Sequence, residues 1–438
     1  MRWLTPLLTA WLVLVALMPA GEAASRQVQI VTSPGGLTAW LVHEPQVPVI
    51  SLRLAFKGGG ALDPEGKEGL ANLVSGLLDE GAGELDALAF QTRVEELALK
   101  LSFSADRDFF YGSFTTLSRN RDAGFELLRL ALSQPRFDPE PVERVRRQVV
   151  VNLTGDLEEP GTVAGRDWFK AVFGPHPYWH STEGAIEGIQ AIGRADLAGF
   201  VKRHFVRKHL MLGVVGDITA AELGPLLDRT FGGLPAEGSS FELPQVSLDL
   251  DDSIKVIRRP IPQSTIFFGM PGLQRDDPDW YVADLMTYVL GRGQSSRLYM
   301  AVREQRGLAY SVYGYLLPLE RTGLILGGAG TRNEKVAESL ATIKAEIARL
   351  RDEGISEDEL ADAKTYINGS FPLRQTSSGS IASLLLSMQM HGLGTDYLER
   401  RPEIYSRITR EDVARVAKRL LQPERLRVVI VGDPVGFD

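Results

Sequence analysis

Two stretches of this chain repeat each other at a fixed distance. "MLGVVGDIT" carries Val215-Gly216-Asp217 and "RVVIVGDPV" carries Val431-Gly432-Asp433, 216 residues further on. Upstream, "IGRADLAGFVKR" holds Asp196 and Lys202-Arg203, and "ITREDVARVAKR" holds Asp412 and Lys418-Arg419 at the same separation. One separation kept at three places marks a duplicated unit. The chain is therefore expected to fold as two homologous halves, and its 438 residues are enough for both.

Each half reads as strands, helices and a closing strand. In the first, "VQIVTSPGGLTAWLVHE" predicts a hairpin closed near Gly35-Gly36, and "VISLRLAFKGG" alternates as a half-buried strand. "FFYGSFTTL" predicts a strand. "DAGFELLRLALSQ", "DPEPVERVRRQVVVNLTGDLEE" and "RADLAGFVKRHF" predict helices. The second half repeats the plan with strands "STIFFGM", "SVYGYLL" and "GLILGGAG" and helices "DWYVADLMTYVLG" and "KVAESLATIKAEIARLRDEG". Strands mixed with helix pairs predict an α+β fold of two tandem domains, each a mixed, mainly antiparallel sheet packed with helices. "LPAEGSSFELPQVSLDLDD", rich in Pro, Ser and acid, is the expected linker. The resulting division is 1–24 leader, 25–236 first domain, 237–252 linker and 253–438 second domain.

A net charge of -8 with scattered basic residues argues against nucleic acid as a partner. The N-terminus has one Arg, then an apolar run to Met18, then small residues around Ala23 and Ala24. This is the pattern of a secretory signal peptide, and the run is short for a membrane anchor. The chain has no cysteine, so disulfides and thiolate chemistry are excluded. An exported, disulfide-free chain of this size points to a bacterial periplasm, with no membrane association after the leader is removed.

Chemistry-bearing motifs are scarce. There is no G-x-S-x-G and no P-loop, and "GGG" at Gly58 to Gly60 reads as a strand-to-helix turn. Asn152-Leu-Thr154 and Asn368-Gly-Ser370 match the glycosylation pattern by chance. Of the six histidines, His176 and His180 are four apart, but "HPYWH" contains Pro177 and aromatics and reads as a loop or helix start. His204 and His209 read as packing or capping residues. "GLANLVSGLLDEGAG" poses a sharper question. Leu70, Leu73, Val74, Leu77 and Leu78 form a helical core face, and Asn72, Ser75, Gly76 and Asp79 share the same rhythm on another face.

"GKEGLANLVSGLL", "HPYWHSTEGAIEGIQAI", "VVGDIT" and "GRGQSSRLYMAVREQRGLAYSVYG" together resemble the M16 family of zinc metallopeptidases, the pitrilysin-like and mitochondrial-processing-type enzymes. The resemblance spans about residues 27 to 435. In that family the opening helix carries His-x-x-Glu-His. Its two His bind zinc from one helical face, its Glu is the general base, and a third ligand, a Glu, lies some 75 residues on. The frame places these positions on Asn72, Ser75 and Gly76, and the downstream Glu near Asn152 or Leu153, with Asp156 a turn beyond. None of the ligands survives. The resemblance thus implies a chain that binds no metal itself.

The same resemblance implies a role for Arg303 and Tyr310 in "AVREQRGLAYSV", six residues apart in the gap between them. In the family this pair reaches across a cavity to a zinc site and holds the peptide carbonyl. A guanidinium and a neutral phenol both suit an oxygen that gains charge as water attacks. Arg297 and Arg306 read as structural. Two-domain members pair to close a clam-shell. The implied partner is a homologous M16 subunit with an intact His-x-x-Glu-His that carries the zinc, and the implied substrate is a peptide. The competing expectation is an M16-fold scaffold without proteolysis.

Overall fold

The structure, a computed structural model, describes residues 27–238 and 243–437, so the leader lies outside the described residues. In the first half the strands are β1 (Gln29–Thr32), β2 (Thr38–His43), β3 (Val49–Lys57), β4 (Lys100–Ala105), β5 (Phe109–Leu117) and β6 (Leu210–Gly216). In the second they are β7 (Ile254–Arg258), β8 (Gln263–Pro271), β9 (Ala309–Pro318), β10 (Gly323–Arg332) and β11 (Arg427–Gly432). The sheets run β1-β2-β6-β3-β5-β4 and β7-β11-β8-β10-β9. Apart from the extra β1, they are the same sheet built twice. In each, one pair is parallel, β2 with β6 and β7 with β11, and the rest are antiparallel.

The residues that revealed the repeat have local structural tasks. The helices Arg194–His204 and Arg410–Leu420 occupy matching positions. Asp196 accepts the Gly193 N–H at 2.9 Å and Asp412 accepts the Thr409 N–H at 3.0 Å, each tying down its own helix start. Lys202-Arg203 and Lys418-Arg419 lie in the last turns, where positive charge opposes the helix dipole. Gly216 and Gly432 have φ of 140° and 154°. A side chain at Gly216 would sit 2.0 Å from the Val49 carbonyl oxygen, so only glycine fits.

The halves exchange helices, which no sequence boundary foretold. Pro160–Phe173 belongs to the first half in sequence but packs on β8 and β11 of the second sheet. Ser378–Met390 does the reverse and packs on β6 and β3. The approach is close in both places. A Cβ on Gly269 would be 2.3 Å from the Trp168 ring, and one on Gly213 would be 2.5 Å from the Ala382 carbonyl oxygen. Trp168 is fully buried and its Nε1 donates to the Arg427 carbonyl at 3.0 Å. The expected linker is also tied down where it is described. Leu243 and Leu250 are buried in the same apolar cluster as Trp168, and the Leu248 carbonyl accepts from Arg425 at 2.6 Å.

A polar latch joins the halves beside this cluster. Tyr178 Oη donates to Asp108 Oδ1 at 2.6 Å, the Glu320 N–H donates to Asp108 Oδ2 at 2.9 Å, and the Arg321 N–H donates to Tyr178 Oη at 3.1 Å. Burial pushes the Asp108 carboxyl up to about 6 against the pull of these donors. In the unfolded chain the same carboxyl titrates at about pH 3.9. Between these values the folded state holds more protons, so the Asp108 contribution to stability falls as pH rises through the window. Asp108→Asn puts an amide where a second acceptor is needed. It is expected to cost about 1–3 kcal/mol in denaturant titrations. The stability margin of the native chain over the variant should be larger at pH 4.5 than at pH 7.5. The opposing titration of buried His204 and half-buried His391, pushed down to about 3 and about 4, cancels in that difference.

Candidate functional site

The periodicity of Leu70 to Leu78 and of Asn72 to Asp79 predicts one helix, but only Leu70–Ser75 is helical. Gly76 caps it and a turn follows, so Leu77 and Leu78 reach the core from irregular backbone. The reason lies in the glycines. Gly69 enters the helix at φ 100° and Gly81 leaves the turn at φ 107°. Asp63, which sequence reasoning missed, holds the helix start from outside. It accepts the Gly69 N–H at 2.8 Å and the Ala71 N–H at 3.0 Å, and burial pushes its carboxyl up to about 7. An acid seven residues before the first helical residue gives no local periodicity to read.

The four positions of the implied metal site carry no donor set for zinc. Ser75 is 8 % exposed and its hydroxyl is turned onto the Asn72 carbonyl at 2.8 Å. Asn72 Nδ2 donates to the Glu183 carbonyl at 3.1 Å. Gly76 is exposed, and a Cβ there would be 3.1 Å from Val145 Cγ1 on the Pro139–Asp156 helix. Asn152 is exposed on that helix and accepts from Gln148 at 2.9 Å. Asp156 is the last residue of the helix. Zinc takes imidazole, thiolate or carboxylate ligands. An amide, a hydroxyl and a glycine do not fit it. Among the described residues there is no group of three or more His, Cys, Asp or Glu placed to hold a metal ion.

His176 and His204 are engaged elsewhere. His176 Nε2 bonds the Pro244 carbonyl at 3.0 Å and its Nδ1 accepts the Tyr178 N–H at 3.1 Å, bracketing the short turn Pro177–Trp179. His204 stacks on Phe200 with centroids 4.4 Å apart. Asn72→His, Ser75→Glu and Gly76→His combined are expected to leave zinc well below one ion per chain by elemental analysis. The helix ends before the third position, Val145 crowds it, and the downstream carboxylate is missing. Stoichiometric zinc in that variant would show that geometry had been kept.

Arg303 and Tyr310 do come together. Arg303 lies in the wide π-helical turn Tyr299–Glu304, a feature that tends to occur at functional sites. Tyr310 is the extra residue of a β-bulge: Ala309 pairs with Thr331 and Ser311 with Gly330, and nothing faces Tyr310. The bulge throws its ring outward, and it is 79 % exposed on the edge strand β9. The Arg303 guanidinium carbon lies 5.3 Å from the Tyr310 ring centroid and 4.9 Å from that of Tyr299. Two rings therefore hold the guanidinium, and Glu304 lies 3.7 Å from its Nε. Tyr299 was missed in the sequence because nothing in its spacing distinguishes it from a core aromatic. Arg297 is bonded twice to Glu359, at 2.7 and 2.8 Å, and to the Gly354 carbonyl at 2.7 Å. Arg306 reaches Thr342 at 3.2 Å.

A duplicated α+β unit with a ligand-free opening helix in one half and an aromatic-held arginine in the other defines a metallopeptidase-type fold with its metal corner replaced. The chain belongs to the M16 peptidase family: residues 38–159 match its insulinase description and residues 191–367 match the "Peptidase M16 inactive domain". It is 28 % identical over 355 residues to the Helicobacter pylori protein named "Non-peptidase homolog YmxG", covering 78 % of this chain and 82 % of that one. It is 22 % identical over 410 residues to an uncharacterised zinc protease of Streptomyces coelicolor, covering 92 % and 89 %. Among solved structures, a peptidase M16 inactive domain from Pseudomonas fluorescens superposes with a TM-score of 0.88 at 26 % identity, over 94 % of this chain and 99 % of that one.

Proposed function

We propose that this chain is the metal-free subunit of an exported, periplasmic M16 peptidase. It lends Arg303 and Tyr310 in trans to a partner that carries zinc and the general base. The observation that carries this reading is the pairing of Arg303 with an exposed, bulge-directed Tyr310 in a chain whose own ligand positions are Asn72, Ser75, Gly76 and Asn152. Arg297 and Arg401, by contrast, are buried, Arg297 against Glu359 and Arg401 over the Phe371 and Tyr405 rings. Arg303 is instead partly exposed, and its guanidinium is oriented by ring faces, leaving N–H groups for a ligand. In a closed cavity those N–H groups and the Tyr310 hydroxyl would bind and orient the peptide carbonyl oxygen. Metal and general base would be the partner's.

The second reading, a binding or scaffold protein without proteolysis, is favoured by the name of the Helicobacter pylori relative. Mixing separates the two. The partner is an M16 chain of similar length with an intact His-x-x-Glu-His from the same cell. Each chain is assayed alone and together on fluorogenic peptides. The proposal expects no hydrolysis by this chain alone and a chelator-sensitive rate in the mixture far above that of the partner alone. A mixture no faster than the partner supports the scaffold.

A further inference from the structure

A cavity of about 300 Å³ lies in the second half, between the helices Trp280–Gly291, Glu357–Gly369 and Tyr397–Ser406, with the exchanged helix Ser378–Met390 on one side. Its charge is one-sided. Arg275, Arg292, Arg374 and Arg401 line it, and Asp284 is the only carboxylate among its described lining residues. Asp284 is already engaged: Oδ1 accepts from Arg292 at 3.2 Å and Oδ2 from the Tyr405 hydroxyl at 2.7 Å. Arg275, Arg374 and Arg401 form no ion pair among the described residues. Like charges gathered around one space repel, and an anion placed between them removes that cost.

Arg401 is the anchor. It is 7 % exposed, and its guanidinium carbon lies 4.0 Å from the Phe371 ring centroid and 4.6 Å from that of Tyr405. Nη1 donates to the Ile367 carbonyl at 3.4 Å, and Nε and Nη2 have no hydrogen-bond partner among the described residues. Unlike the partnerless Nη1 of Arg297, neither is closed off from solvent. Ile367, Phe371 and Tyr405 all line the cavity, so that is the space the open edge reaches. Arg275 is held in the same manner, 5.0 Å from the Trp280 ring and 4.8 Å from that of Tyr281, and Tyr281 stands edge-on to Tyr405 at 5.5 Å. Both arginines also act on one phenol: burial pushes Tyr397 up to about 12 against their pull. An edge of Nε and Nη2 grips two oxygens in parallel, which carboxylate and phosphate both offer. Charge decides between them. Three unpaired guanidiniums exceed the single charge of a carboxylate, whereas a phosphate monoester carries close to two charges at pH 7 and three acceptor oxygens. The space holds about ten waters, more than a phosphate group fills, and Leu384, Met388 and Leu393 give it an apolar wall.

We infer that this cavity binds a small phosphate monoester, with the phosphate on Arg401, Arg275 and Arg374 and the carbon body against Leu384, Met388 and Leu393. Arg303 and Tyr310 do not line the cavity, and their role is independent of it.

The test is calorimetric titration of the full chain, at constant ionic strength, with phenyl phosphate, inorganic phosphate and benzoate. Saturable one-to-one binding of phenyl phosphate is expected, with inorganic phosphate and benzoate each weaker by roughly tenfold or more. Arg401→Met should weaken phenyl phosphate by roughly tenfold to a hundredfold. Arg374→Ala is a second variant in case Arg401→Met fails to fold. Arg374 is exposed and has no ion pair or hydrogen bond among the described residues, and a roughly two- to fivefold loss is expected. Arg129→Gln removes a charge paired to Glu126 in the first half and should bind as the native chain does. No binding of phenyl phosphate, equal or tighter binding of inorganic phosphate or benzoate, unchanged affinity in folded Arg401→Met or in Arg374→Ala, or an equal loss in Arg129→Gln would each overturn the proposal.

Discussion

Arg303→Ala is expected to lower turnover by the mixed complex a hundredfold or more while leaving assembly of the two chains intact. The magnitude follows from what one oriented donor contributes to a developing oxyanion, about 3 kcal/mol. Tyr310→Phe removes a hydroxyl and keeps the ring over Arg303 at 5.3 Å. Its loss should appear in kcat with KM little changed, because the phenol matters most when charge develops. Tyr299→Leu touches no substrate in this account. It removes the second ring over the guanidinium, at 4.9 Å, and should give a smaller loss that Tyr299→Phe restores. If Arg303→Ala and Tyr310→Phe leave the rate of the complex unchanged, the pair is not part of the site. Size-exclusion of each mixture separates failed assembly from failed chemistry.

Trp168→Ala is expected to destabilise the whole chain by about 3–5 kcal/mol. Trp168 is fully buried, it fills the space that Gly269 leaves open, and its indole N–H satisfies the Arg427 carbonyl. Its helix is encoded with the first half and packs on the second. The loss should therefore register in both halves in one denaturation transition, followed by tryptophan fluorescence and by hydrogen exchange of β3 and β10. A variant that unfolds the second half alone would show that the exchanged helices do not couple the two.

Much of this was legible in the sequence, for identifiable reasons. The repeat survived as capping aspartates and positive-φ glycines, which local backbone geometry demands in both halves. Strands such as Val49–Lys57 and Phe109–Leu117 announce themselves by side-chain character alone. The helix exchange could not be read, because nothing in "PGTVAGRDWFKAVF" says which sheet its apolar face will cover. Both exchanged helices went unassigned, as did β4, whose alternation is diluted by serine and lysine. The opening helix was read too long because Leu77 and Leu78 keep helical rhythm after the backbone has left it. Arg303 and Tyr310 are legible in the sequence through their motif, and the structure brings them together. The π-helical turn, the bulge and Tyr299 that orient them depend on chain pairing and were not visible.

The account turns on Asn72, Ser75, Gly76 and Asn152 giving zinc nothing to hold, so that any cleavage depends on a second chain. The most direct measurement is the zinc content of the purified chain after incubation with excess zinc and desalting, read by elemental mass spectrometry beside a zinc-binding M16 chain as control. The expected result is far less than one ion per chain. One tightly held zinc per chain, lost on chelation together with peptide hydrolysis by this chain alone, would contradict it.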